Sequence, residues 1–600
     1  MSHYKTNLRD IEFNLFEFLD VDSYLGKEPF EGFDKATALD SLREVERLAV
    51  EDFAASFADS DRNPPELVDG EIALPQSTKD SLDAFFDGGW HLLGIEQDLG
   101  GFGAPDALRW AAGEMFVSAN PSAFLYASSA LMARVIAAVG TEEQIARFGK
   151  PMIENRWGAT MVLTEPDAGS DVGAGTSKAV HVEGDMWHLE GVKRFITSGE
   201  NDYFENIIHL VLARREGGEP GTKGLSMFIV PKYLVNDDGT LGERNGIKAT
   251  GLEHKMGIKG STTCELSMGV DEPCIGYLVG DVHEGIRQMF LVIEDARMLI
   301  GVKSAGTLST GYLNALDYAK ERVQSADLTK ATDKTAPRVE IIRHPDVRRM
   351  LMLQKSYAEG LRALWMYTAW TLDKMRLESG DDYWARLNDL LLPMVKGYSS
   401  EKAYELLAQS LQVFGGSGFT QDYPIEQYIR DAKIDTLYEG TTAIQALDLF
   451  FRKIARDQGQ TVMRLAEDVL AYVKGGSDEF AQERQALGDA LEQVQNHIGV
   501  LVGHSMASME DPPEIYKTGL HTNGLLESLS EVVIAWLLLE HAERASAALP
   551  TADGSDAAFY EGKIASARFF VSDALPKIAL RTAAAQNETG WLMDMNDEAF

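Results

Sequence analysis

Over the first part of the chain apolar side chains return at every third or fourth position with few breakers, most clearly in 37–57 and 106–139. That period predicts amphipathic helices, and Asn120-Pro121 predicts a break of the second into two. At Trp157 the texture changes. Short runs rich in Val, Ile, Thr and aromatics follow, at 159–163, 187–196, 207–213, 225–230 and 264–268, separated by Gly-rich turns such as Glu216-Gly217-Gly218 and Pro220-Gly221. This predicts the strands of a compact β domain. From Glu284 the helical period returns. His344-Pro345-Asp346 opens a long helix in which Val347, Met350, Tyr357, Leu361 and Leu364 share a face, with Pro near the first turn where its missing N–H matters little. The polar stretch 325–341 interrupts two helical patterns and is expected to be an exposed loop. Three or four more amphipathic helices are expected in 457–600, punctuated by Gly475-Gly476-Ser477 and by 550–556. The expected plan is α+β, in four segments: helical 1–157, β 158–283, helical 284–456 and an extra helical 457–600.

Length and composition fit several packed domains of an ordinary globular protein, since 600 residues exceed what one core usually supports. Net charge changes the picture more. At −37, from 93 acidic against 56 basic residues, the surface repels phosphate backbones, which argues against nucleic-acid binding. Two cysteines, Cys264 and Cys274, provide neither a disulfide framework nor a Cys-rich metal site, and no metal is expected. The N-terminal residues carry no apolar signal-like stretch, and the longest apolar run, 532–539, is eight residues. A cytoplasmic protein without integral membrane association is expected.

Five segments carry candidate chemistry. Met161-Val162-Leu163-Thr164-Glu165-Pro166-Asp167-Ala168-Gly169-Ser170-Asp171 runs from an apolar strand into a turn that can offer N–H groups and hydroxyls to an anionic or heteroaromatic ligand. Gly191-Val192-Lys193-Arg194-Phe195-Ile196-Thr197-Ser198-Gly199 ends a strand in an aromatic and a hydroxyl, suited to a flat ring. The glycines of Phe414-Gly415-Gly416-Ser417-Gly418 let backbone approach a ligand closely. Glu439-Gly440-Thr441 sets a carboxylate just before a helix start, with Thr441 a candidate N-cap. Glu294-Asp295-Ala296-Arg297 opens the third segment. Taken singly, each is as readily a strand-to-loop corner, a helix stop or a solvated charged face.

Together they are more specific. Thr-Glu-Pro-x-Ala-Gly-Ser-Asp from Thr164, Lys-x-Phe-Ile-Thr-x-Gly from Lys193, Gly-Gly-x-Gly from Gly415, and Arg-Asp-Ala-Lys-Ile from Arg430 followed by Tyr438-Glu439-Gly440-Thr441 stand in the order found in acyl-CoA dehydrogenases. The chain resembles that family over about residues 40–455, and the length with its helical extension resembles the large bacterial, actinobacterial-type members. The resemblance implies an acyl-CoA dehydrogenase-like α+β fold: N-terminal helical domain, middle β-barrel domain, C-terminal helical bundle and an extra C-terminal helical domain. It implies FAD as cofactor and Glu439 as the base that takes the α-proton of a fatty acyl-CoA while the β-hydrogen leaves as hydride, giving trans-2-enoyl-CoA in the first step of β-oxidation.

By the same resemblance, FAD contacts fall to Met161, Leu163, Thr164, Gly169, Ser170, Phe195, Ile196, Thr197, Thr441 and Ala443, and a neighbouring subunit contributes through Arg322, Gln412, Gly415 and Gly416. Ser170, Glu294, Arg297 and Gly440 are implied on the acyl-CoA side. Electron-transfer flavoprotein is the implied acceptor and a homodimer the implied assembly. Three departures stand out. Asp167 replaces a common glycine, Phe195 replaces a frequent tryptophan, and 325–341 is inserted where the family shows a Phe-Gly pattern. Some members carry the base on the helix bearing Arg297; the matching residue here is Ala296, which leaves Glu439, with Glu294 or Asp295 as distant rivals. Other readings are an acyl-CoA oxidase using O₂, a dehydrogenase of a branched or sulfur-containing acyl-CoA, and a non-catalytic acyl-CoA-binding protein.

Overall fold

The computed structural model describes residues 2–378 and 380–600. The chain groups into two units, one of Leu25–Ala296 with the extreme N-terminus, the other joining Lys5–Tyr24 to Arg297–Phe600.

In the first unit Asp34 caps the helix Lys35–Leu48 by accepting the Thr37 N–H at 2.7 Å. The helix Asp106–Ala119 stops at Asn120, whose side chain caps the next turn, Pro121–Phe124. The expected break is there. After a tight turn at Leu125–Ser128 the helix Ser129–Val139 resumes the apolar stripe.

The main sheet has eight strands: β1 Gly158–Val162, β2 Lys178–Glu183, β3 Met186–Thr197, β4 Ile207–Arg215, β5 Leu225–Pro231, β6 Ile247–Leu252, β7 Thr263–Met268 and β8 Cys274–Leu278. Their order is β6-β7-β3-β8-β5-β4-β1, with β2 against β3 and β4. β3 joins two layers: 186–189 pair with β2 and β8, whereas 191–197 pair with β7. At the switch sits Gly191 (φ 144°), where a Cβ would come within 2.4 Å of the Ser177 hydroxyl. β1 lies parallel to β4, Met161 opposite Leu210. β4 is buried from Ile207 to Ala213 because its two faces serve two cores, one holding Ile208, Leu210 and Leu212, the other Val211 and Ala213. Both cysteines are buried and free.

The division between units falls within one helix, Gly285–Glu321. Pro345 is the first residue of the helix Pro345–Leu377, as expected. The stretch 325–341 is largely exposed, as expected, but it is not a plain loop: Val323–Ala326 and Arg338–Glu340 pair as a short antiparallel hairpin. Beyond residue 457 there are five helices rather than three or four, Gln460–Gly475, Ala481–Ala507, Glu514–Ala548, Gly554–Ala574 and Pro576–Gln586. The Pro550–Asp556 region does punctuate them, but Pro576 opens a further helix directly behind Gly554–Ala574, with only Leu575 between.

A fully buried ionic cluster pins these helices to the N-terminal arm. Asp10 receives Arg362 and Lys563, each at 2.7 Å, and Glu359 lies 3.4 Å from Lys563. Phe13 packs edge-on against His541, Phe559 and Tyr560 beside it. Two stretches, Pro121–Val139 and Glu514–Thr551, are long and apolar enough to cross a membrane by composition alone. In the second, every residue of 532–539 is buried within the protein.

Candidate active site

The residues assigned to FAD in the first unit lie at two adjacent strand ends. The chain leaves β1 into the turn 163–170 and leaves β3 at Phe195-Ile196-Thr197. The backbone N–H of Arg194 donates to the Thr164 carbonyl at 2.9 Å, so the two ends are joined. Beneath them Lys193, fully buried, donates to the Leu163 carbonyl and to Glu165, both at 2.9 Å. Burial opposes ionisation of Glu165. The Lys193 ammonium and the N–H groups of Thr176 and Ser177 overcome it and hold the carboxyl at about 2. This pair is structural, and it fixes the turn from which Thr164, Gly169 and Ser170 project.

Phe195 adopts φ 61° and Ser198 φ 58°, left-handed backbone that bulky residues rarely take. The Phe195 ring is thereby turned outward and is 55% exposed. The hydroxyls of Thr164 and Thr197 have no hydrogen-bond partner among the described residues, Gly169 and Ser170 are exposed, and a Cβ on Gly169 would meet only Thr164 at 3.9 Å. An outward aromatic, two uncommitted hydroxyls and open space above a small-residue turn fit a flat, hydrogen-bonding ring system such as flavin. Met161 and Leu163 pack partly into the core. Ile196 is a correction. Its side chain is 2% exposed in the sheet core, because alternation along β3 turns it away from the face of Phe195 and Thr197, so only its backbone is available to a ligand.

In the second unit Glu439 stands at a strained turn, φ 56°, followed by Gly440 at φ 87°. A non-glycine residue in this region persists only where its surroundings impose it. Here two contacts do so through backbone: Gln445 Nε2 donates to the Glu439 carbonyl at 2.8 Å, and Lys396 Nζ donates to the Gly440 carbonyl at 2.5 Å. Thr441 is the N-cap residue of the helix Thr442–Leu447, as expected, although its side chain makes no capping bond. Ala443 is exposed on the first turn of that helix. Burial pushes the half-buried Glu439 carboxyl up from its ordinary value, and the charges of Lys396 and Arg297 pull the other way.

Behind the turn, Lys303 donates to the Asp431 carbonyl at 2.9 Å and to Asp435 at 2.6 Å, and the Tyr438 hydroxyl donates to the same carboxylate at 3.0 Å. Arg297 is buried and held in an ion pair with Asp448 at 2.8 Å, so it does not stand in an open ligand-facing position. Of the acids beside it, Glu294 is exposed on its helix, and Asp295 is held by Arg109 at 2.9 Å.

Arg322, Gln412, Gly415 and Gly416 are all exposed. The stack of Tyr318 on Phe414, ring centroids 4.5 Å apart, brings the helix turn before Arg322 beside the start of the glycine run. A Cβ on Gly415 or Gly416 would meet nothing within 4 Å.

Sequence reasoning missed Lys193, Lys303, Lys396 and Asp435, all buried. For Lys396 there was a signal: it is the one charge in Leu390-Leu391-Leu392-Pro393-Met394-Val395-Lys396-Gly397-Tyr398, a run too apolar to face water.

Comparison with known proteins adds the following. Three family models match: "Acyl-CoA dehydrogenase, middle domain" over residues 160–269, "Acyl-CoA dehydrogenase, C-terminal domain" over 283–452, and "Acetyl-CoA dehydrogenase C-terminal like" over 462–596. The broad-specificity linear acyl-CoA dehydrogenase FadE5 of Mycobacterium tuberculosis is 52% identical over the whole of both chains. The 3-methylmercaptopropionyl-CoA dehydrogenase of Ruegeria pomeroyi is 34% identical over 95% of this chain and 96% of its own. Among solved structures, an acyl-CoA dehydrogenase complexed with FAD from Bacillus anthracis superposes with TM-score 0.72 at 19% identity, covering 95% of this chain and 90% of that one.

Proposed function

The chain belongs to the acyl-CoA dehydrogenase family, and within it we propose an FAD-dependent α,β-dehydrogenation of linear fatty acyl-CoA thioesters with Glu439 as base. The observation that carries this reading is the Glu439 turn, a carboxylate on strained backbone, held by two bonds to main-chain carbonyls, with Lys396 and Arg297 as its facing cations. Strain of this kind gathers where geometry is part of the chemistry.

The residues play separate parts. Glu439 takes the α-proton of the thioester, whose acidity depends on hydrogen bonds to the thioester oxygen, and the Glu439 N–H is the donor this chain supplies. FAD, when bound, takes up the hydride that leaves the β-carbon. Met161, Leu163, Thr164, Gly169, Ser170, Phe195 and Thr197 hold it, with the backbone of Ile196. Thr441 and Ala443 serve its far end, and Arg322, Gln412, Gly415 and Gly416 reach from a second subunit. Exposure of those last four, with glycines that leave room for a ligand, is what supports a homodimer. Ser170, Glu294 and Gly440 remain on the acyl-CoA side.

Identity of 52% to an enzyme of linear substrates, against 34% to one of a sulfur-containing substrate, favours linear chains. A kcat/KM panel should rank linear acyl-CoAs above branched and sulfur-containing ones; the reverse order would reassign the substrate. Electron-transfer flavoprotein is the proposed acceptor in a cytoplasmic enzyme. Turnover should follow that acceptor, and peroxide production matching turnover in air would make the chain an oxidase.

Thr197→Val keeps shape and removes one uncommitted hydroxyl. A single hydrogen bond contributes about 0.5–1.5 kcal/mol, so FAD should dissociate up to about tenfold more readily with melting of the apo chain unchanged. Unaltered FAD affinity and reduction rate would place that hydroxyl outside the flavin site.

A further inference from the structure

The residues 394–398 form a π-helical turn directly after Pro393. Proline inside a helix removes a donor and crowds the preceding turn, and single π-turns are a recurrent outcome near functional sites. Three consecutive residues of this turn reach different partners. Lys396, with no exposed surface, donates to the Gly440 carbonyl at 2.5 Å. Gly397 lies so close to its neighbours that a Cβ would meet Leu526 at 2.9 Å and Gln445 at 3.2 Å. Gln445 is the residue that holds the Glu439 carbonyl. The Tyr398 hydroxyl donates to Glu531 at 3.3 Å, and Glu531 is clamped by Arg581 through two bonds of 2.6 and 3.1 Å. Leu526, Glu531 and Arg581 all belong to the C-terminal extension.

We propose that Lys396 is a positioning residue for Glu439, and that the C-terminal extension sets its place through the chain Arg581–Glu531–Tyr398. The inference rests on Glu439 being the base. Lys396 acts in two ways. Its ammonium fixes the carbonyl on one side of the strained turn, and its charge favours the ionised form of the carboxylate beside it. The groups facing Lys396 are Asp435, Glu439, Arg297 and Glu401. Those facing Glu439 are Lys396 and Arg297, of which Arg297 is paired with Asp448 and Asp435 with Lys303. Around the far end of the chain stand Lys402, Glu527, Tyr357 and Asp573. Burial, resisted by Asp435 and Glu439, pushes Lys396 down to about 8, so it is charged across the neutral range.

The sign follows from Glu439. The base works only when ionised, and burial raises its carboxyl, so activity climbs with pH through that raised value. Removing the Lys396 charge raises it further and moves the acid limb to higher pH. The test measures exchange of the α-hydrogens of octanoyl-CoA into D₂O, and flavin reduction, across pH, with melting temperature and FAD content of every variant. Lys396→Met should shift the acid limb upward by about one pH unit, the size expected for loss of a nearby opposite charge, and slow exchange about tenfold below it. Lys396→Arg should restore the limb. Tyr398→Phe, remote from any substrate, should shift it the same way by less.

A Lys396→Met profile that superimposes on the parent overturns the proposal, as does a Lys396→Arg limb displaced as far as that of Lys396→Met. An unmoved Tyr398→Phe limb removes the extension from it. Should Lys396→Met fail to fold, Lys396→Gln takes its place under the same criteria. Glu439→Gln is run beside them: if it is inactive while Lys396→Met is unshifted, only this inference fails, and if it is active, the assignment of the base itself fails.

Discussion

Glu439→Gln is expected to bind FAD and acyl-CoA like the parent and to reduce flavin about 10²–10⁴-fold more slowly, the usual contribution of a positioned general base. The amide matches the carboxylate in shape. Both bonds that fix the turn, from Gln445 and from Lys396, end on main-chain carbonyls and do not involve the Glu439 side chain. The backbone strain is therefore retained while the proton acceptor is lost. Stopped-flow flavin reduction at saturating acyl-CoA checks it. A rate within a few-fold of the parent would dismiss Glu439 and turn attention to Glu294; Asp295 would have to act from inside its ion pair with Arg109.

Ending the chain at residue 456 is expected to give an insoluble or misassembled protein rather than a smaller active enzyme. The helix Glu514–Ala548 alone buries Leu525, Leu526, Leu529, Val532, Val533, Ile534, Trp536, Leu537, Leu538 and Leu539. Its surface is fitted to the bundle: a Cβ on Gly360 would meet Ile534 at 2.5 Å, and one on Gly397 would meet Leu526 at 2.9 Å. Each such side chain contributes about 1.5–3 kcal/mol on burial, so even half of them rival the roughly 5–15 kcal/mol of a whole domain's net stability. The cut also removes a cation from the buried cluster, since Asp10 and Glu359 lose Lys563. Light scattering and size-exclusion chromatography of the truncated chain decide. A soluble, dimeric and fully active product would show the extension to be an independent module.

How much of this was legible in the sequence depends on how far each feature is local. The five strands read from Val- and Ile-rich runs are β1, β3, β4, β5 and β7, each buried on at least one face and so written as apolar residues. β2 is not legible because four of its six residues are exposed, and β6 and β8 because Gly251 and Gly276 interrupt their apolar runs. The Asn120-Pro121 break and the Pro345 start were legible because capping chemistry is local. The hairpin around residues 323–340 was not, since its strands are short, exposed and polar. The motifs located the Glu439 turn and the Phe195–Thr197 strand end, but not what supports them. A buried lysine reads in sequence like a solvated one, and Lys193, Lys303 and Lys396 find their partners only through contacts 28 to 132 residues away. Nothing local marks Asp10 as the partner of a lysine 553 residues distant. The face that a β3 side chain takes is set by register, so the place of the Ile196 side chain in the core is not legible from the motif.

The central claim, that this chain is a flavin-dependent dehydrogenase acting on acyl-CoA through Glu439, is tested most directly by anaerobic mixing of the purified, FAD-loaded protein with a linear acyl-CoA. Absorbance follows the flavin and mass spectrometry follows the thioester. The expected result is bleaching of the flavin with formation of trans-2-enoyl-CoA, two hydrogens lighter, in the parent, and a flavin that stays yellow on the same timescale in Glu439→Gln. A parent protein that binds the acyl-CoA while its flavin stays yellow and the thioester keeps its mass would contradict the claim and leave a binding protein built on an enzyme's fold.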